Sequence, residues 1–185
     1  GLNRYDGIMI KSYSICPQAA GKYISSLYGT KKNIWIGTDE GIYIYAYATE
    51  TFTYFDLTTP NNVRITSIVN HILQDKDGNL WFSTNGQGLF RYNLSKNYLE
   101  QYEFTSAFGI VASTMADSDN QIWALTNQGE SGVYKLNKAE NKFEPFGLLY
   151  NAGNHHSQAL AMLEDSEQTL WLGTWECGLQ KIDKY

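Results

Sequence analysis

Gln74-Asp75-Lys76-Asp77-Gly78-Asn79, Leu80-Trp81-Phe82-Ser83-Thr84 and Asn85-Gly86-Gln87-Gly88-Leu89-Phe90-Arg91-Tyr92-Asn93 follow one another without a break, and their reading decides the fold. Alternating apolar positions are interrupted by residues that tolerate positive φ or bond their own backbone, so the stretch reads as strand, tight turn, strand, short loop, strand. The same pattern occurs four times.

Aligned on Trp35, Trp81, Trp123 and Trp171, the copies lie 46, 42 and 48 residues apart. Each Trp follows an apolar residue (Ile34, Leu80, Ile122, Leu170), and a threonine stands three positions after it (Thr38, Thr84, Thr126, Thr174). Glycine with an aliphatic residue comes next, at Gly41-Ile42, Gly88-Leu89, Gly132-Val133 and Gly178-Leu179, and a fifth such pair opens the chain at Gly1-Leu2. Aromatic-rich strands at a period in this range signal propeller blades.

Composition agrees with that reading. In 185 residues, 43% are hydrophobic and 15% aromatic, enough for a sizeable core and unlike a disordered chain. Fourteen tyrosines and five tryptophans suit half-buried strands. The formal charge is -5 and the basic residues are scattered, which excludes the footprint of a nucleic-acid binder. No apolar run approaches the roughly 20 residues that span a bilayer. The chain begins without a methionine and inside a repeat unit, so the natural protein is expected to extend upstream. Cys16 and Cys177 lack metal-ligand spacing and are expected to be free or buried thiols.

The expected fold is all-β: a β-propeller of four-stranded blades, read as an incomplete arc of a larger propeller, with a closed four-bladed ring as the alternative. Residues 1–15 supply the last two strands of a blade. Complete blades are expected at about 22–57, 65–104 and 109–147, and a partial blade at 158–185, all within one propeller segment. A faint helical period over Gln158 to Glu164 is assigned by the repeat register to a first strand. Each Trp ring should wedge between neighbouring blades, and each recurrent Thr hydroxyl should bond backbone in the following loop.

Asp77-Gly78-Asn79-Leu80-Trp81-Phe82-Ser83-Thr84 with Gly88-Leu89-Phe90-Arg91-Tyr92-Asn93, together with Asn33-Ile34-Trp35-Ile36-Gly37-Thr38 and Leu170-Trp171-Leu172-Gly173-Thr174, resembles the two-component regulator propeller repeat. The opening Gly1-Leu2-Asn3-Arg4-Tyr5-Asp6-Gly7 resembles the close of the first such repeat in hybrid two-component sensors of gut bacteria. The departures are Ala124-Leu125 in place of a small glycine step, the insertion Gly129-Glu130-Ser131, and Gly29-Thr30-Lys31-Lys32 in place of the acidic turn. The resemblance implies a periplasmic sensor segment of an inner-membrane receptor whose other domains carry the kinase, and an oligosaccharide from glycan breakdown as ligand. Its partners would be that ligand, the rest of the receptor chain and, in one reading, a second copy in a homodimer.

Propeller geometry places the loop after each second strand and the connectors between blades on one face. There it gathers Asp39, Glu40, Pro60 to Arg64, Asn85 to Gln87, the loops following Thr126 and Leu148, and Trp175. Sugars are held by amide and carboxylate hydrogen bonds and by stacking on an aromatic ring. The ligand candidates are therefore Trp175, Glu176, Arg64, Asn85, Gln87, Asn127, Glu130, Asn154 and His155. Three of them carry structural counter-readings: Trp175 as cover for the Gly178 turn or facing a missing blade, Arg64 as partner of a loop carboxylate rather than of a uronate or sulfate, and His155-His156 as solvent-facing loop residues rather than a metal pair. Asp75-x-Asp77-Gly78-Asn79 resembles the start of a calcium loop, but the closing Glu falls on Gly86, which leaves a hairpin turn as the reading. Asn93-Leu94-Ser95 is a glycosylation sequon only by accident if the source is bacterial. No metal, cofactor or catalytic residue is expected, because no nucleophile elbow or acid-base constellation is present. The function classes are a non-catalytic sensor, a scaffold or dimerisation segment, and a propeller lyase or hydrolase.

Overall fold

The computed structural model describes residues 1–15, 23–104, 109–126, 132–148, 158–175 and 178–184. These residues form a β-propeller arc of antiparallel sheets that follow one another in chain order. A two-stranded sheet, β1 (Leu2–Tyr5) and β2 (Ile10–Tyr13), comes first. The first four-stranded sheet holds β3 (Ile24–Gly29), β4 (Asn33–Thr38), β5 (Gly41–Ala46) and β6 (Thr51–Tyr54). The second holds β7 (Val69–Gln74), β8 (Leu80–Thr84), β9 (Leu89–Asn93) and β10 (Tyr98–Tyr102), and the third β11 (Val111–Ala116), β12 (Ile122–Thr126), β13 (Gly132–Asn137) and β14 (Lys142–Leu148). A three-stranded sheet of β15 (Ala159–Glu164), β16 (Leu170–Thr174) and β17 (Gly178–Ile182) ends the series. Below, the first pair is called the half-blade and the four larger sheets blades 1 to 4.

The strand order within each sheet is the sequence order, as hairpin-linked repeats dictate, and the first strands β3, β7, β11 and β15 lie beside one another along the inside of the arc. Among the described residues, no strand of blade 4 pairs with a strand of the half-blade. The segment with the faint helical period is strand β15, because its residues pair with β16.

Second strands are the most buried elements. Every residue of β8 and β12 is buried, because each has a paired strand on both edges and a neighbouring blade against its face. The tryptophans join the blades. Trp35 belongs to the core formed by Val69, Ile72, Leu80, Phe82 and Phe90 of blade 2, and Trp81 to the core formed by Val111, Ile122, Tyr134 and Phe143 of blade 3. Trp123 packs with Ala159, Leu170 and Leu172 of blade 4. An aromatic from the last strand of its own blade, or just beyond it, meets each of these indoles: Phe55 at 5.4 Å from Trp35, Tyr102 at 5.6 Å from Trp81, and Phe146 at 4.9 Å from Trp123. A buried side chain of this size contributes about 1.5–3 kcal/mol, so these rings dominate the cohesion between blades.

All four first strands share an irregularity. The pairing register shifts at Ile24/Ser26, Val69/His71, Val111/Ser113 and Ala159/Ala161, each at the start of the strand. A bulge re-aims the side chains beside it, and here they reach the next blade. Ser25 and Ser26 donate to Val69 O at 2.7 Å, and Asn70 Nδ2 donates to Val111 O at 2.9 Å.

The seams also compensate in volume. A Cβ on Gly37 would stand 2.9 Å from Val69 Cβ. Leu125, which replaces the small residue of that position in blade 3, is fully buried and packs in the core of Ala159, the counterpart of Val69. Glycine faces valine at one seam, and leucine faces alanine at another.

Candidate functional site

The expected Thr-to-loop bond is present. Thr38 Oγ1 donates to Gly41 O at 2.9 Å, Thr84 to Gly88 O at 2.6 Å and Thr174 to Gly178 O at 2.9 Å, while the Gly132 N–H donates to Thr126 Oγ1. Each buried hydroxyl thereby ties the end of the second strand to the glycine at the start of the third. In blades 1, 2 and 4 the residue after the Thr is held by the first strand's side: Asp39 N donates to Tyr23 O, Asn85 N to Ile68 O and Trp175 N to Gln158 O. Asp39, Asn85 and Trp175 thus occupy equivalent places on one face of the arc, as the sequence led us to expect.

Their side chains differ in how they are used. Trp175 is 71% exposed, with its backbone anchored and its ring in solvent. Asn85 is exposed. Asp39 buries its Oδ1, which has no hydrogen-bond partner among the described residues. Gln87 is engaged internally: its Oε1 accepts from the N–H groups of Thr66 and Ser67 at 2.9 Å, and its Nε2 donates to Arg64 O at 2.9 Å. Arg64 pairs through Nε with Asp56 Oδ1 at 2.8 Å, the loop carboxylate of its counter-reading. Glu176, Asn127, Glu130, Asn154 and His155 lie outside the described residues, as do Cys16 and Cys177.

Beside the Gln87 clamp is a polar cleft of about 490 Å³, lined by Thr59, Pro60 and Asn61 of the connector and by Tyr98, Glu100, Gln101 and Glu103 of blade 2. The connector is rigid because it bonds itself: Thr59 N donates to Val63 O, Asn62 N to Thr59 O, and Val63 N to Thr59 Oγ1. Gln101 Nε2 donates to Gln87 O, which ties the cleft wall to the clamp, and Glu100 pairs with Arg91. Tyr98 offers a ring that is 44% exposed, beside two carboxylates and two amides. Pro60 and Asn61 were legible as face residues. Tyr98 to Glu103 were missed because they sit on an outer strand and its end, although a tyrosine and two glutamates on an edge strand are a readable signal.

The opposite face is used for fixing blades to one another. Asp75 Oδ1 accepts from Asn79 N and Oδ2 from Trp81 Nε1 at 2.8 Å, so the acidic turn is a hairpin whose carboxylate is fully employed, as read from its spacing. Trp123 donates to Asp117 Oδ2 and Trp171 to Asp165 Oδ2 in the same way. Lys76 Nζ donates to Ser118 O, and Lys76 N to Asn120 Oδ1 at 2.9 Å, which joins blades 2 and 3. Buried Lys184 joins blades 3 and 4 through Glu164 at 2.6 Å, with Asp119 and Asp117 at 3.5 and 3.8 Å. Burial pushes the Glu164 carboxyl up, but hydrogen bonds from Lys184 and Ser118 outweigh it and hold the group below its usual range. The Trp171 N–H, then the Thr169 N–H, lower Asp165 likewise. Among the described residues no three His, Cys, Asp or Glu side chains converge as a metal site would require. His71, at the seam of blades 2 and 3, is lowered by burial and accepts weakly from Thr114 N at 3.5 Å.

Residues 62–86 match the family model described as the two-component regulator propeller. A comparison with curated proteins finds no significant match. Among solved structures, the whole chain superposes on the extracellular domain of the hybrid two-component system BT4673 from B. thetaiotaomicron, with a TM-score of 0.77 and 21% or 20% identity in two structures, one of them naming it a one-component system. It also superposes over its whole length on the extracellular domain of the hybrid two-component system BT3049 from the same organism, with a TM-score of 0.65 and 17% identity. The chain spans 25% and 31% of the length of those two proteins' solved chains. A virginiamycin B lyase from Staphylococcus aureus is similar over 90% of this chain and 57% of its own, with a TM-score of 0.64 and 18% identity. These likenesses establish the propeller fold.

Proposed function

We propose that the chain is a non-catalytic propeller segment of an extracytoplasmic receptor in a two-component system, located in the periplasm as part of an inner-membrane protein. Its role is to recognise, or help to recognise, an oligosaccharide released from a glycan and to pass that state to a kinase elsewhere in the receptor. The observation that carries this reading is the match of residues 62–86 to the two-component regulator propeller, in a chain that superposes over its whole length on a part of the extracellular domains of two such systems. The loop face supports it chemically. The exposed ring of Trp175 and the Tyr98 cleft, with its two carboxylates and two amides, combine stacking surfaces with hydrogen-bond acceptors, the pair of interactions by which proteins hold sugars.

A second reading, that the segment is a scaffold or dimerisation propeller whose ligand sits elsewhere, is favoured by one observation. Gln87 and Arg64, two residues of the face, are taken up by internal contacts. Calorimetric titration of the 185-residue chain against a panel of glycan-breakdown oligosaccharides decides between the two. Saturable heat with one sugar class supports the sensor; silence from a folded sample, with self-association at the same concentration, supports the scaffold.

A further inference from the structure

Both walls of the Tyr98 cleft belong to complete parts of the arc: the connector between blades 1 and 2, and the last strand of blade 2 with the residue beyond it. The tyrosine is not something the repeat requires. Strand pairing puts Thr51 and Lys142 where blade 2 has Tyr98, each opposite the last residue of its third strand, Ala46, Asn137 and Asn93 in turn. The fold thus accepts a threonine or a lysine at this place, and in blade 2 alone of the three complete blades it carries a flat apolar ring, 44% exposed.

The polar groups around that ring are held in place without all being used. Gln101 gives its Nε2 to Gln87 O, which leaves its Oε1 as an acceptor. The Glu100 carboxylate is engaged by Arg91, by the Tyr102 hydroxyl at 3.0 Å and by Asn141 Nδ2 at 2.6 Å, whereas exposed Glu103 presents its carboxylate to solvent. The connector wall is stiffened by its own hydrogen bonds, so seating a ligand against Pro60 and Asn61 costs little further ordering. Charge then decides which ligands fit. Among the described residues no lysine or arginine lines the cleft, while two carboxylates do. Arg64, in the connector, is already taken by Asp56 at 2.8 Å. A uronate or sulfate placed here would meet Glu100 and Glu103 with no cation on the lining to offset them, while a neutral sugar hydroxyl can donate to Glu103 in a charge-assisted hydrogen bond.

We infer, resting on the sensor reading above, that the Tyr98 cleft is a subsite for a disaccharide end of an uncharged oligosaccharide, and that it rejects uronates and sulfated sugars. One pyranose ring stacks on Tyr98, and hydroxyls donate to Glu103 and to Gln101 Oε1. The volume of about 490 Å³ lies within the roughly 300–1,000 Å³ of small-molecule sites.

The test titrates the 185-residue chain, by calorimetry and saturation-transfer NMR, with uncharged disaccharides (cellobiose, maltose, lactose and mannobiose) and with acidic ones (digalacturonate and a sulfated chondroitin disaccharide). The expected result is saturable binding of at least one uncharged disaccharide and at least tenfold weaker binding of both acidic ones. Tyr98→Ala, at an exposed position that lets the fold survive, should weaken the uncharged sugar at least tenfold, and Tyr98→Phe, which keeps the ring, should leave it within about twofold. Glu103→Lys should raise the affinity for an acidic disaccharide at least tenfold. An acidic disaccharide that binds the parent better than any uncharged one overturns this assignment and leaves the sensor reading standing. Binding of an uncharged sugar that ignores Tyr98→Ala overturns it too, by placing the sugar elsewhere on the chain, as does an unchanged preference in Glu103→Lys. Silence from every sugar, with the sample folded by circular dichroism, overturns both the subsite and the sensor reading.

Discussion

Trp35 and Trp81 fill equivalent sockets in successive blades, yet only Trp81 has an acceptor for its indole N–H. Asp75 Oδ2 receives it at 2.8 Å, whereas the buried Trp35 Nε1 has no partner among the described residues. The cause is in the turn. Strand pairing sets Thr30 opposite Asn33 where blade 2 sets Asp75 opposite Asn79, and the Thr30 hydroxyl accepts from Asn33 N just as Asp75 Oδ1 accepts from Asn79 N. A hydroxyl offers one oxygen where a carboxylate offers two, and the second is the one the indole lacks.

Thr30→Asp is therefore expected to stabilise the chain by about 1 kcal/mol, the worth of a hydrogen bond gained by a buried donor, and to raise Tm by about 2–4 °C. Asp75→Ala should cost about 2–3 kcal/mol, because it strands the Trp81 and Asn79 donors together. Thermal denaturation followed by tryptophan fluorescence checks both, and a Thr30→Asp variant no more stable than the parent would show that the shorter turn keeps its carboxylate from Trp35.

The seam volumes give a second expectation. Ala159→Val overfills a core that already holds Leu125 and should destabilise by about 1–3 kcal/mol. Leu125→Ser in the same chain imports the Ser83 solution of blade 2 and should recover part of that loss, so the two substitutions would couple in a double-mutant cycle. Strict additivity would mean that the two side chains do not share the space.

Much of this was legible before any coordinates, for physical reasons. The period of the tryptophans marks the blades because each blade needs one large ring to cover the next, and the Thr three residues on marks the loop its hydroxyl fixes. Gly29 to Lys32 stood out as a departure from the acidic turn, and the structure locates its consequence at Trp35. What the sequence did not disclose were pairings across blades. Gln87 looked like a free amide, and only the approach of Thr66 and Ser67 occupies it. The Tyr98 cleft is formed by an edge strand and a connector almost forty residues apart, a proximity set by the closing of blade 2 and not by any local pattern.

Acid should weaken the fold in two stages. His71 is held below its usual value of 6.5 by burial, so the unfolded chain binds its proton more readily; the stability it contributes is complete above pH 6.5 and is lost as pH falls toward the folded value. Glu164 and Asp165 are likewise held below 4.5 and 3.8, and what they contribute is present above those values and disappears as pH falls through their lowered ones. Urea midpoints between pH 8 and 3 should show a first decline below 6.5 and a second below 4.5. His71→Gln is expected to remove the first stage alone.

Lys184→Met keeps the aliphatic stem and removes the charge that faces Glu164, Asp117 and Asp119. Breaking a buried ion pair from one side leaves carboxylates without their partner and costs on the order of 3 kcal/mol at neutral pH. The deficit against the parent should shrink in acid, as pH falls through the lowered value of Glu164 and its carboxylate takes up a proton. A constant deficit across that range would mean that Lys184 acts by packing.

Gly88 and Gly178 occupy the same place in the repeat and should respond unequally to alanine. Both have positive φ, 76° and 66°, but a Cβ on Gly88 would stand 2.3 Å from Tyr102 O of its own last strand, while one on Gly178 would meet nothing within 4 Å among the described residues. Gly88→Ala combines backbone strain with a steric collision and should cost about 2–4 kcal/mol; Gly178→Ala carries the strain alone, about 1 kcal/mol. The contrast follows from the sheets themselves, since blade 2 has a fourth strand against the glycine and the described blade 4 has three strands. Chemical denaturation of the two variants measures the difference, and equal costs would place the penalty in backbone conformation rather than in the approach of β10.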